Sequence, residues 1–81
     1  KPDYQTYSGL AQAYYFSDQP NEAIEAYRKA APLAPDGETY LNLAKALSNE
    51  GRGAEAKEAA KQALAKGVRN PAEAKKLAGT K

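Results

Sequence analysis

Apolar residues recur along the chain in stripes that fit one face of an α-helix. The first stripe has the i, i+3, i+4, i+7 spacing of a helix and consists of Tyr7, Leu10, Ala11 and Tyr14. It returns 33 residues later as Tyr40, Leu43, Ala44 and Leu47. A second kind of stripe follows each copy of the first, as Ala23, Tyr27, Ala30 and Ala31 and then as Ala56, Ala60, Ala63 and Leu64. Two different stripes that recur at one period predict a stack of helical hairpins.

Residues that break helices separate the stripes. Pro20 and Pro71 stand where the first turn of a helix accepts proline, and Asn70 is the predicted N-cap before Pro71. We expect Asp18 to cap the second helix and Gly51 to end the third in the left-handed conformation. The predicted helices span residues 3–16, 20–31, 38–50, 54–66 and 71–79. No segment alternates with period two, so we expect no strand.

Composition raises the alternative of disorder and then argues against it. Leu, Ile, Val and Phe together number 10 of 81 residues, a fraction that by itself favours disorder. Disordered chains also have a high net charge, whereas this chain has 12 basic and 10 acidic residues, a net charge of +2. Its apolar mass is present instead as 18 Ala and 6 Tyr. Because Ala favours helix and is small, we expect ordered helices that approach closely.

The chemistry available to the chain is limited. It has no Cys and no His, which excludes a thiolate zinc site, a Cys nucleophile and the commonest general base. Three serines have no histidine to activate them, and the paired glutamates fall on polar helix faces rather than across a cleft. The apolar runs are too short to span a bilayer. We therefore expect no enzyme activity, no cofactor, no metal site and no membrane partner.

The spacing of the stripes resembles the tetratricopeptide repeat, a pair of helices of about 34 residues. Every signature position of one repeat is filled, by Tyr7, Leu10, Ala11, Tyr14, Ala23, Tyr27, Ala30 and Pro35. Tyr7 replaces the usual Trp, and Ala11 replaces the usual Gly. The second copy matches less well, because Ala60 stands where an aromatic is usual and Val68 where Pro is usual.

The resemblance implies an all-α, right-handed stack of antiparallel helical hairpins. The first repeat would span residues 4–36 and the second 37–69, and a C-terminal capping helix and tail would follow at 70–81. A third copy of the first stripe supports that last helix, since Ala74, Leu77 and Ala78 continue the pattern. Its other face is polar, as the outer face of a terminal helix should be.

The resemblance also implies a protein–protein interaction module, part of a longer scaffold or adaptor, that binds a peptide or helix of its partner. In this family the concave face is lined by the first helix of each pair. The positions expected there are Gln5, Ser8, Gln12, Tyr15, Phe16, Leu41, Lys45, Ser48, Asn49, Lys75 and Lys76. Tyr15, Phe16 and Leu41 are large apolar residues outside the core stripes. They predict either an apolar groove rimmed by lysines or a cover over a neighbouring helix.

Two other functions stay open. The chain could be a structural C-terminal cap of a longer array, with no ligand of its own. It could also bind nucleic acid weakly, because residues 1–40 carry three basic and six acidic groups, net −3, whereas residues 41–81 carry nine and four, net +5. The family's best-known groove, which clamps a partner's C-terminal carboxylates, is disfavoured, since only Asn42 and Lys76 match its residues.

The N-terminal end carries a further expectation. The chain starts at Lys1 rather than Met, which favours a piece of a longer protein. No helix precedes Tyr4, Tyr7 and Leu10 in this sequence, so the first hairpin has no neighbour on that side. We therefore expect marginal stability or self-association through this end.

Overall fold

The computed structural model describes residues 3–79. Five α-helices follow one another, and none of these residues forms a strand. The helices are α1 (Tyr4–Phe16), α2 (Pro20–Ala30), α3 (Glu38–Asn49), α4 (Gly53–Lys66) and α5 (Pro71–Ala78), with a short 3-10 helix at Ala31–Leu33. Each predicted helix is confirmed, with ends that differ by no more than one residue. The predicted stripes therefore define the elements of the fold.

The helices pack in chain order. α1 pairs with α2 and α3 pairs with α4, while α2 packs against α3 and α4 against α5. The all-α stack of two hairpins followed by a last helix is thus confirmed. Most of the buried residues are alanines, and Ile24 and Leu47 are the largest of the fully buried side chains. Small side chains at the contacts let helix axes approach closely, which compensates for the low content of large aliphatic residues.

The two hairpins end their first helices in the same way. After α3, the Gly51 N–H donates to the Ser48 carbonyl at 3.1 Å and the Arg52 N–H to the Leu47 carbonyl at 2.9 Å, with Gly51 at φ 74°. This pair of bonds is a Schellman motif and confirms the predicted role of Gly51. After α1, Asp18 takes the same position, 33 residues earlier, with φ 60°.

Asp18 was expected to cap α2, and this expectation is wrong. Gln19 is the N-cap of α2 and forms no side-chain capping bond. The Asp18 N–H instead donates to the Tyr15 carbonyl at 3.2 Å, and the Gln19 N–H donates to the Tyr14 carbonyl at 2.8 Å. Asp18 therefore closes α1, because the short link must first satisfy the last carbonyls of that helix.

Polar contacts tie the second hairpin to the end of the first. The Lys66 ammonium at the end of α4 donates to the Ala34 carbonyl at 2.6 Å and to the Pro32 carbonyl at 3.3 Å. The Gly37 N–H donates to the Gly67 carbonyl at 2.8 Å. Gly37 has no room for a side chain, since a Cβ there would overlap the Ala63 carbonyl oxygen. These bonds fix the loop after α2 against the end of α4.

Candidate functional site

One side of the α1, α3 and α5 row carries two adjoining depressions, which we call the inner groove. The first depression, about 370 Å³, is lined by Gln12, Tyr15, Phe16, Tyr27, Asn42 and Lys45. The second, about 340 Å³, is lined by Tyr15, Lys45, Ser48, Asn49, Glu73, Lys76 and Leu77. Tyr15 and Lys45 line both, so the depressions are continuous. The inner groove is therefore lined by residues of α1, α2, α3 and α5.

Two aromatic rings form the apolar part of the inner groove. Phe16 is 83% exposed and lies at the last position of α1, with its ring edge-to-face against Tyr15 at 5.9 Å between centroids. The Tyr15 hydroxyl accepts a hydrogen bond from the Asn49 amide at 3.2 Å, which links α1 to α3. An exposed aromatic that is held by a neighbouring ring offers a rigid surface to an apolar side chain.

A tyrosine of α2 also lines the groove. Tyr27 of α2 is only 5% exposed, and burial, with a smaller effect from Tyr15, raises the pKa of its phenol. The raised pKa favours the neutral phenol, because burial disfavours the phenolate. Tyr27 can donate one hydrogen bond into the groove without adding charge.

Charges lie at the end of the groove that α5 forms. The Lys45 ammonium on α3 lies 3.2 Å from the Glu73 carboxylate on α5, and both side chains are partly exposed. Lys76 also lines this end and forms no ion pair with any of residues 3–79 that line the groove. Two lysines against one glutamate leave this end with a net positive charge. It therefore favours a partner group with negative charge over one with positive charge.

The structure brings together seven of the eleven residues predicted for this surface. These are Gln12, Tyr15, Phe16, Lys45, Ser48, Asn49 and Lys76. Gln5 and Ser8 lie earlier on α1, and Lys75 lies on α5, and none of these three lines either depression. Their predicted role in binding stays a prediction.

Leu41 is not on the surface, and its expected place in an open groove is wrong. It is only 4% exposed and packs in a small cluster with Ala63 of α4 and Ala74 of α5. α5 occupies the place beside α3 and α4 that a further first helix would take, and it covers Leu41. For Leu41, the structure therefore agrees with the alternative that a large apolar residue outside the core stripes packs against a neighbouring helix.

Four residues of the groove were not in the predicted set. They are Tyr27, Asn42, Glu73 and Leu77. Asn42 had been singled out only as a match to the carboxylate-clamp pattern, and Tyr27 only as a member of a core stripe. Glu73 and Leu77 come from α5, which packs against α3, and helical periodicity alone does not predict that contact.

The described residues offer no other chemistry at this place. Residues 3–79 contain no group of three or more acidic residues placed to hold a metal ion. No buried side-chain nitrogen or oxygen in that range lacks a hydrogen-bond partner. Within the same range, no helix has both the length and the apolar character needed to cross a membrane. The lining of the inner groove consists of aromatic, polar and charged side chains, with Leu77 as its aliphatic member.

Comparison with known families gives two matches, both to the tetratricopeptide repeat. One covers residues 4–36 and the other residues 37–70. Together they span most of the chain, which therefore belongs to the tetratricopeptide-repeat family. Proteins of this family are typically non-enzymatic and serve in protein–protein interaction. A search of curated proteins found no match to the chain.

Proposed function

We propose that the inner groove binds an extended peptide or a helical segment of a partner protein, within a longer scaffold or adaptor. The observation that carries the proposal is the 83% exposure of Phe16, which lies beside Tyr15 in the first depression of the inner groove. Two exposed aromatic rings in contact form a continuous apolar patch, and such patches mark interaction sites. The rings would hold an apolar side chain of the partner.

The polar residues of the groove define the rest of the partner. Side-chain amides of Gln12, Asn42 and Asn49 can donate to and accept from a peptide backbone. Lys76 supplies a positive charge at the α5 end, where Lys45 is already paired with Glu73. We therefore expect a segment with an apolar anchor and an acidic residue on the side that meets Lys76.

Selection from a displayed library of random dodecapeptides tests this proposal. We expect peptides selected on the protein to pair an apolar residue with an acidic one. Phe16→Ala should weaken their binding about tenfold or more, which corresponds to about 1.4 kcal/mol. Leu33→Ala is the matched control, because Leu33 is 55% exposed but does not line the groove. Binding is measured by fluorescence anisotropy.

Stability measurements separate a binding role from a core role. Truncation of Leu43, which is 5% exposed, should cost about 2–5 kcal/mol, whereas Phe16→Ala should leave the free energy of unfolding within about 0.5 kcal/mol. Equal losses would place Phe16 in the core and contradict the proposal.

Selection that yields no peptide sensitive to Phe16→Ala would favour the alternative of a structural cap. Binding to a random oligonucleotide that collapses with added salt would favour the nucleic-acid alternative.

A second proposal concerns the outer face of the first hairpin. Leu10 is 46% exposed, although it belongs to the apolar stripe of α1 and was expected in the core. Residues 3–79 cover it only in part, because α2 lies on only one side of α1. We propose that the chain self-associates weakly through this face when no other partner covers it.

A further inference from the structure

Each of the two hairpins has one groove at an equivalent place, on the side that faces away from α5. The first seam groove, between α1 and α2, has a volume of about 410 Å³ and is lined by Tyr7, Leu10, Tyr14, Asn21, Glu22, Glu25, Ala26 and Lys29. The second seam groove, between α3 and α4, has a volume of about 490 Å³ and contains the residue 33 positions after each of these, namely Tyr40, Leu43, Leu47, Ala54, Glu55, Glu58, Ala59 and Gln62. The second groove therefore shows what a neighbouring helix adds to a groove of this kind.

The neighbour of the second seam groove is α2 with the turn that follows it. Two further residues line that groove, and both come from the preceding hairpin: Arg28 and Pro32. The Arg28 guanidinium donates a hydrogen bond to the Glu55 carboxylate, which Arg52 also binds at 2.8 Å. Those contacts lower the pKa of Glu55, with Arg52 as the larger cause. An arginine on an amphipathic helix thus meets the acidic edge of the groove.

The leucines at one pair of equivalent positions in the two grooves differ in exposure. Leu43 is 5% exposed and packs in the main core cluster, which also contains Ile24 and Tyr27 of α2. Its counterpart in the first groove, Leu10, is 46% exposed. Because the lining residues correspond one to one, the difference is explained by the helix that lies beside the second groove and has no counterpart beside the first among residues 3–79.

The two glutamates at the edge of the second seam groove also have counterparts in the first seam groove. Glu22 corresponds to Glu55, and Glu25 corresponds to Glu58. In the first groove the position of Arg52 is taken by Gln19, which cannot pair with a carboxylate as a cation. Glu22 forms no ion pair with any of residues 3–79. Lys29, on the same groove, lies over the Tyr7 ring at 5.8 Å.

We propose that the first seam groove is a docking site for an amphipathic α-helix of another molecule, with an arginine that pairs with Glu22. A small or apolar residue one turn after the arginine, at the place of Pro32, would lie over the apolar part of the groove. The helix would cover Leu10 as α2 covers Leu43. The site is separate from the inner groove and does not depend on its function.

The probe for this proposal is a peptide with the sequence of residues 19–34, acetylated and amidated at its ends. It carries the arginine and proline that line the second groove. We expect it to shift the methyl resonances of Leu10 in NMR spectra of the full chain and to leave those of Leu43 unchanged. An isolated helix of this length is marginal in water, so the titration extends to millimolar peptide.

Charge reversal gives the sharper test. Glu22→Arg in the protein should weaken binding of the peptide about tenfold or more, and a peptide with Arg28→Glu should restore binding to that variant. Glu50→Arg is the matched control, because Glu50 is exposed and lines neither seam groove. Thermal melting confirms that each variant is folded. Rescue by the double reversal would support the direct pairing.

Three results would overturn the proposal. One is no shift at Leu10 at the highest peptide concentration. A second is a shift at Leu43, which would mean that the peptide displaces α2 from its own groove. The third is a dimer that buries Leu10 and is not dissociated by the peptide, since the occupant would then be a second copy of the chain. Sedimentation velocity on the same samples detects such a dimer.

Discussion

Equivalent positions of the two hairpins show how different residues behave in the same backbone environment. Asp18 and Gly51 both close a first helix through a Schellman motif with positive φ, at 60° and 74°. Glycine adopts this conformation without steric cost, whereas aspartate is strained there. The first hairpin therefore carries a local cost that the second avoids.

Exchanging these two residues tests that cost. We expect Asp18→Gly to raise the free energy of unfolding by about 0.5–1 kcal/mol and Gly51→Asp to lower it by about 1 kcal/mol. A Cβ at position 51 meets nothing within 4 Å, so the loss would come from the backbone conformation alone. Urea denaturation followed by circular dichroism provides the measurement. Two changes of the same sign would contradict the explanation.

At the scale of the elements, each helix depends on its ends and on what covers its apolar face. α1 alone among the five α-helices has an N-cap side-chain hydrogen bond, from the Thr6 N–H to the Asp3 carboxylate at 2.9 Å. α5 is the shortest, yet Ala74 and Ala78 are buried by it against the second hairpin.

The hydrogen bond that caps α1 should depend on pH, because its acceptor is the Asp3 carboxylate. The backbone hydrogen bond from Thr6 lowers the pKa of Asp3 below its ordinary value of 3.8, so the ionised carboxylate favours the folded helix. Its contribution is present above that ordinary pKa and is lost as the pH falls through the lower, folded value. We expect the Thr6 amide proton to shift in NMR spectra as the pH is lowered through this range.

Two variants check the source of that shift. In Asp3→Asn the side chain still offers an oxygen but does not titrate, so the Thr6 amide should become insensitive to pH in this range. In Asp3→Ala the first turn of α1 should fray at neutral pH, with faster hydrogen exchange at its amides. A Thr6 titration that persists in Asp3→Asn would assign the effect to another group.

α5 should act as a cap on the second hairpin. Ala74→Asp places a charge at a position that is 0% exposed and should cost at least about 2 kcal/mol or release α5 from the stack. Ala72→Asp is the control, because Ala72 is exposed in the first turn of the same helix, where an acidic residue is favourable. Ending the chain after residue 70 should likewise lower the melting temperature. An unchanged melting curve for Ala74→Asp and for the shortened chain would refute this role.

At the scale of the whole molecule, the two ends of the stack differ. α5 covers the second hairpin and buries Leu41 at 4% exposure, whereas the outer face of the first hairpin leaves Leu10 at 46%. The described part of the chain measures 37 × 26 × 16 Å. In such a thin stack one uncovered face is a large share of the apolar surface, because each hairpin buries itself only against its neighbours.

This asymmetry predicts weak self-association through the first hairpin. We expect the average mass in sedimentation equilibrium to rise above 8.7 kDa as the concentration approaches millimolar. Leu10→Gln should abolish the rise, whereas Leu33→Gln should not, since Leu33 is also exposed but does not line the first seam groove. A stable monomer at millimolar concentration with a high melting temperature would show that the open face needs no partner.

The elements of this fold could be predicted from the sequence, because they depend on local physics. The recurrence at 33 residues, the prolines at the starts of α2 and α5 and the glycine after α3 all act within a few residues of themselves. Seven of the predicted groove residues also line the groove, and they were expected because the resemblance to the family implies that the first helix of each pair lines the concave face.

The face of each helix that is covered depends on how the helices pack against one another. Leu10 and Leu43 occupy the same place in the same pattern, yet one is exposed and the other buried, because only Leu43 has α2 beside it. Leu41 is buried because α5 folds back over it. Burial is a property of pairs of elements, and the periodicity of one helix carries no information about its neighbours. The chain by itself determined the helices and their repeat, and their packing determined which apolar residues remain open to a partner.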